Sequence, residues 1–205
     1  KDIFKLSDFL TEKKIAFHYS SNGLLLKKYT NEILNSPPET LSVSFDGYEG
    51  ELHDQIRGLR GSWKKAIEGM KFLNEKRNEK NQKFPRLKIH FTITPENFHT
   101  MKEFYKFYIN EFPDIDEIKF HVPRFSNVKM GIDYFEIMQK EFNTNCMSYL
   151  GNSSDEGFVK DCMTKIDVDI LYNDLQWLLK QKNVSYLGPT DKNTLKTYFK
   201  DPDKK

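Results

Sequence analysis

Four short runs rich in β-branched and aromatic residues recur along the first 122 positions, and a helix-length stretch separates each from the next. The runs are Ile15 to Ser20 (IAFHYS), Leu41 to Phe45, Leu87 to Thr94 (LKIHFTIT) and Glu117 to Val122. Connections this long argue against hairpins, which close in a few residues, and fit parallel neighbours, which need a crossover of a dozen residues or more. The spacing therefore predicts repeated βα units and a parallel sheet, an α/β fold.

The segments between the runs carry helical periodicity. Leu6, Phe9 and Leu10 precede the first run and lead into the charged stretch Thr11 to Lys14. After the turn at Ser21, Asn22 and Gly23, a second helix is predicted through Leu24, Leu25, Tyr29, Ile33 and Leu34, ended by Pro37-Pro38. Asp46-Gly47 is followed by a polar segment with Gly58 and Gly61 and then by a long helix from Ser62 to about Asn81. Its inward face is Trp63, Ile67, Met70 and Leu73, with Ser62 as the expected N-cap. Asn97 opens another helix, whose stripe is Met101, Phe104, Tyr105 and Tyr108.

Beyond Pro123 the pattern is less regular. Helices are expected around Ile132 to Phe142, Val168 to Gln181 and Asn193 to Phe199, and Val184 to Leu187 is the one strand-like run there. Residues 1–125 are thus read as the βα core, and 126–205 as a less regular helical part of the same domain or the start of a C-terminal extension.

With 38% hydrophobic and 14% aromatic residues, the 205-residue chain can supply a real core. Its 32 basic and 30 acidic side chains are interleaved, so no basic face argues for nucleic acid. No stretch approaches the ~20 apolar residues of a membrane span, and no secretory signal is visible, so the expectation is a soluble, cytoplasmic protein with no membrane partner. Cys146 and Cys162 lie sixteen positions apart in a polar region and make neither a disulfide framework nor a metal-ligand set. Lys1 in place of Met suggests that the natural chain begins earlier.

Ligands of parallel α/β sheets sit at the carboxyl ends of the strands, which directs attention to Ser20 to Gly23, Ser44 to Gly47, Thr94 to Asn97 and Val122 to Arg124. Asn22 with Gly23 is either an ordinary βα turn or a place where backbone amides approach a ligand. Ser44 and Asp46 bring a hydroxyl and a carboxylate to a strand end, with His53, Asp54 and Arg57 close behind. Arg57 can clamp a carboxylate with two parallel hydrogen bonds, or it can be a surface ion pair while Asp46 caps the next segment. His18, His90 and His121 each fall inside a different predicted strand, where core histidines are commoner than metal ligands. HExxH, P-loop, GxSxG and GxGxxG motifs are absent from the sequence.

Taken in order, SSNG at Ser20 to Gly23, SVSFDG at Ser42 to Gly47, HDQIRG at His53 to Gly58, GSWKKAIEGMKFL at Gly61 to Leu73 and HFTITPEN at His90 to Asn97 resemble consecutive blocks of the radical S-adenosylmethionine (radical SAM) enzyme core. The resemblance covers residues 1–125 and is greatest to the peptide- and protein-modifying, SPASM-type branch. It implies a partial TIM-like (β/α)6 barrel in which a 4Fe-4S cluster cleaves S-adenosylmethionine to a 5'-deoxyadenosyl radical, which abstracts hydrogen from a peptide or protein substrate. By the same resemblance Ser44 corresponds to a strand-end serine that contacts S-adenosylmethionine, and Arg57 to the arginine that binds its carboxylate. Asn22 and Asp46 line the same rim, and Val122 stands where adenine is contacted.

The chain departs from the family pattern in containing no CxxxCxxC and no GGEP-like turn. The expectation is a barrel truncated on its N-terminal side, with the cluster and the catalytic competence belonging to a longer protein. An unpaired sheet edge open to self-association would follow. Two other readings stay open: a non-catalytic half-barrel that binds a peptide or protein partner, and an unrelated TIM-type hydrolase fragment with Asp46 and Glu96 as paired carboxylates.

Overall fold

The computed structural model describes residues 2–122, 136, 139–141 and 165–200. Helix α1 (Asp2–Glu12) precedes strand β1 (His18–Ser21), α2 (Thr30–Asn35) and β2 (Thr40–Ser44). Then come α3 (Gly50–Arg57), α4 (Ser62–Glu79), β3 (Arg86–Thr92), a 3-10 turn (Phe98–Thr100) that runs into α5 (Met101–Glu111), and β4 (Glu117–His121). Helix α6 (Val168–Leu178), β5 (Val184–Leu187) and α7 (Lys192–Lys200) complete the described elements.

The five strands form one all-parallel sheet in the order β1-β2-β3-β4-β5. Because βα crossovers share one hand, an order that never reverses places every crossover helix on the same side of the sheet. Side chains alternate across a strand, so one face must be apolar and the other need not be. The burial shows this division. Leu41, Val43, Phe45, Leu87, Ile89, Phe91, Ile118 and Phe120 are buried under helices, in one cluster with Met70 and Leu73 of α4, Phe104 and Tyr108 of α5, and Leu171 and Leu175 of α6. Phe91 meets Phe104 edge-on at a centroid distance of 4.4 Å, and Phe104 lies 4.4 Å from Tyr108, so the centre of the core is aromatic. The opposite face carries Ser42, Ser44, Lys88, His90, Thr92, Glu117, Lys119, His121 and Ser185, at alternate positions of the same strands. Helices outside and polar residues inside make a partial TIM-like βα repeat rather than a doubly wound sheet, whose two faces are both covered.

Several local expectations change. The helix predicted from Leu24 is a series of turns over 24–29, and only Thr30–Asn35 is α-helical. Gly23, at φ +80°, starts the turns, and a Cβ there would lie 2.7 Å from the Ala66 Cβ of α4. The segment therefore lies too close to α4 to run as one regular helix from the strand end. The polar segment before Ser62 contains α3, whose one buried residue is His53, so its inward face carries no aliphatic stripe for sequence periodicity to reveal.

Ser62 is not the N-cap of α4. That position is Gly61, in the left-handed region at φ +80°, and Asp54 of α3 supplies the acceptor instead. Its carboxylate takes the Gly61 N–H, the Trp63 N–H at 2.9 Å and the Ser62 hydroxyl at 2.8 Å. Val184 to Leu187 is a full member of the sheet. The first strand begins at His18, leaving Ile15 half exposed before it. Most of the helical pattern expected around Ile132 to Phe142 lies outside the described residues, as do Cys146 and Cys162.

Replacing Gly23 by Ala combines a left-handed backbone penalty of roughly 1–2 kcal/mol with overpacking against Ala66 of roughly 1–3 kcal/mol. The urea unfolding midpoint of the variant should fall correspondingly, with an unchanged slope. A midpoint equal to the parent's would show that the turn does not press on α4.

Candidate functional site

The carboxyl ends of all the strands emerge along one edge, because the sheet is wholly parallel. On that edge lies Asp46, two residues past the end of β2 and 4% exposed. Its Oδ2 lies 2.5 Å from Arg57 Nε at the end of α3, and its Oδ1 has no hydrogen-bond partner among the described residues. Burial pushes the Asp46 carboxyl above its ordinary range, and the adjacent Arg57 guanidinium reverses only part of that. The Arg57 side chain is one-third exposed. A guanidinium has five N–H donors, so pairing through Nε leaves it able to meet a second anion.

The backbone beneath this pair is tied down on three sides. The Asp46 N–H donates to His53 Nδ1 at 3.1 Å, which fixes His53 as an acceptor on that nitrogen. Burial, with the positive charge of Arg57 adding to it and Asp54 opposing, lowers the His53 pKa to about 4. Asn97 is fully buried and donates through Nδ2 to the carbonyls of Asp46 (3.1 Å) and Thr92 (2.9 Å), while its Oδ1 accepts the Thr94 N–H (2.7 Å). The Tyr108 hydroxyl donates to the Gly47 carbonyl at 3.1 Å and accepts from Trp63 Nε1 at 3.2 Å. Neutral His53 and the Asn97 amide thus lock the β2 end to α3 and to the β3 end.

The predicted residues separate into two groups. Asp46 and Arg57 are in direct contact. Ser44 is half-buried on the polar face, level with His90 of the neighbouring strand. Val122 is buried at the end of β4, and its N–H donates to the Leu187 carbonyl of β5. Asn22 is exposed at the end of β1, and its Oδ1 accepts the Leu24 N–H at 3.2 Å, a turn of its own making. Glu96 is exposed whereas Asp46 is buried against Arg57, so the two are not equivalent carboxylates. Among the described residues no cluster of His, Cys, Asp and Glu could hold a metal ion, and no helix is long and apolar enough to cross a membrane. The roles of His53 and Asn97 as backbone anchors were not legible in sequence, although both fall inside the matched blocks.

No family model matches the chain. Over 106 residues, 51% of the chain, it is 26% identical to a protein of Nitratidesulfovibrio vulgaris named AdoMet-dependent heme synthase, of which the match covers 27%. A protein of the same name from Oleidesulfovibrio alaskensis is 27% identical over 106 residues, covering 26% of its length, and one from Methanosarcina barkeri is 31% identical over 75 residues, covering 22%. The likeness supports membership of the radical SAM family. The matched part of the chain spans about a quarter of the length of these relatives, and their name points to dependence on S-adenosylmethionine rather than to peptide modification.

Because the folded pKa of His53 lies below 6.5, the unfolded chain takes up a proton that the folded chain refuses between pH 6.5 and about 4. The associated stability is fully present above pH 6.5 and is lost as pH falls through that window, on the order of 3 kcal/mol. The raised Asp46 pKa acts in the opposite sense, its contribution being lost as pH rises. Unfolding free energies measured from pH 7 to 4 should therefore fall less steeply for His53→Gln than for the parent. Parallel curves would mean that His53 is not held neutral by the fold.

Proposed function

We propose that this chain is the part of a radical SAM enzyme that contacts S-adenosylmethionine, with the carboxylate of that cofactor on Arg57 and the Ser44 hydroxyl beside it. The observation that carries the reading is the Asp46–Arg57 pair at the carboxyl edge of a one-sided parallel sheet. Buried Asp46 fixes the Nε side of the guanidinium while the side chain remains partly open to solvent, so the arginine is oriented before a ligand arrives. The unpartnered Asp46 Oδ1 adds an acceptor that a cofactor N–H or O–H can satisfy. These residues fit the cofactor's charged end. In the radical SAM reaction, bound S-adenosylmethionine supplies the 5'-deoxyadenosyl group. This chain's residues bind and orient it.

The same residues do not fit an iron-sulfur cluster. A site of the family's kind needs three closely spaced thiolates, and the sequence holds two cysteines sixteen positions apart. No step is assigned to a cluster on this chain, and the radical chemistry is proposed only for a longer protein.

Equilibrium binding of S-adenosylhomocysteine, which keeps the carboxylate and the adenosine, tests the cofactor site. Arg57→Ala should weaken it tenfold or more, because a charge-assisted contact is lost and Asp46 is left buried without its partner. Arg57→Lys should restore little, since an ammonium cannot reproduce the fork, and exposed Arg60→Ala should bind like the parent. Equal binding by Arg57→Ala and the parent would refute the assignment.

Reconstitution of the chain with iron and sulfide should leave no 4Fe-4S absorbance near 1:1 stoichiometry. A stoichiometric cluster abolished by Cys146→Ser or Cys162→Ser would contradict that.

A further inference from the structure

The register of the sheet sets Ser44, His90, Lys119 and Ser185 side by side across four successive strands on the polar face. At about 4.8 Å per strand, the row spans roughly 14 Å. One step toward the amino ends lies the row Ser42, Lys88 and Glu117, and one step toward the carboxyl ends the row Thr92, His121 and Leu187. His90 and His121 meet edge-on at 6.0 Å between centroids, and Thr92 Oγ1 and His121 Nε2 share a hydrogen bond at 3.1 Å.

Among the described residues of these three rows, two ammonium groups, Lys88 and Lys119, face one carboxylate, Glu117. Lys88 Nζ lies 2.5 Å from Glu117 Oε2, and the other oxygen of Glu117 accepts the Ser185 hydroxyl, so the one carboxylate in these three rows is engaged on both sides. Lys119 forms no ion pair among the described residues. It lies beside His90, whose pKa is lowered by burial first and then by the positive charges of His121, Lys119 and Lys88, with Glu117 alone opposing. Near the carboxyl end of β2 the next acid, Asp46, is committed to Arg57. Among the described residues the face therefore holds one ammonium without an ion-pair partner, Lys119, beside the His90 imidazole.

We infer that the neighbouring pair His90 and Lys119 is a substrate subsite for a carboxylate group, with Lys119 as the charge partner and His90 as a hydrogen-bond donor. This rests on the proposed function and deepens it by naming the substrate chemistry that the polar face would meet. The backbone N–H groups of the row point along the sheet into ladder bonds and the Ser185 hydroxyl is spent on Glu117, so the donors left are the His90 and Lys119 side chains, one strand apart. Two side-chain donors one strand apart match the two oxygens of a carboxylate, whereas a compact phosphate is usually gathered by converging backbone amides.

The test uses citrate as the probe at 150 mM salt, followed by NMR of the imidazole resonances, with His90 assigned through His90→Gln. Saturable binding should raise the pKa of His90, because an added anion favours the imidazolium. Lys119→Met should weaken citrate at least tenfold, whereas Lys64→Met, on the exposed side of α4, should not change it. S-adenosylhomocysteine affinity should be unaltered by Lys119→Met, and Arg57→Ala should retain citrate. Citrate affinity that survives Lys119→Met, or a His90 titration that does not move at saturation, overturns the inference. So does loss of S-adenosylhomocysteine in Lys119→Met, which would assign the row to the cofactor. Failure of Arg57→Ala to affect S-adenosylhomocysteine sinks the cofactor assignment alone and leaves the citrate result to decide the row.

Discussion

Every later feature of this molecule depends on the unreversed order of five parallel strands. With crossovers of one hand, that order puts all the apolar packing on one face, where Val43, Ile89, Phe91, Ile118 and Phe120 meet α4, α5 and α6. The other face is thereby released from supplying a core. It can carry Ser44, Lys88, His90, Lys119 and His121, residues that a doubly covered parallel sheet would have to exclude. The polar face and the carboxyl edge, where the candidate chemistry lies, are consequences of topology before they are consequences of any single side chain.

The Asp46–Arg57 pair is better understood as an orienting device than as a source of stability. Burying a carboxylate costs several kcal/mol, and a single ion pair with a partly exposed guanidinium offsets that incompletely, as the raised Asp46 pKa indicates. What the fold obtains is a fixed direction for Arg57. His53 and Asn97 serve the same end by holding the Asp46 backbone through its N–H and its carbonyl. His53 remains neutral to do this, since a protonated Nδ1 could not accept the Asp46 N–H.

The βα alternation was legible because core-facing positions keep their period: Leu87, Ile89 and Phe91 alternate in β3, and Met101, Phe104 and Tyr108 recur at helical spacing in α5. Helix α3 was not legible, because its buried residue is a histidine. The turns over 24–29 read as helix because Leu24, Leu25 and Tyr29 continue the spacing of Ile33 and Leu34, yet of 24–29 only Leu26 is buried and Leu25 is exposed, and Gly23 and the closeness of α4 impose a tighter path. The cap of α4 was assigned to Ser62 because the true acceptor, Asp54, lies eight residues earlier and reaches it only after α3 folds back.

The sequence by itself determined the α/β class, the parallel sheet and the short list of strand-end residues, since each follows from periodicity and spacing within a few dozen residues. It could also supply Ser44, Asp46 and Arg57 as neighbours along the chain. Only the tertiary structure decided that Asp46 would be buried against Arg57, that Asn97 would be spent on backbone carbonyls, and that His90 and Lys119 would stand in one row with Ser44. Those facts depend on strand register, and register is fixed by the packing of the opposite face, where a slip of one residue would exchange Ile89 for His90.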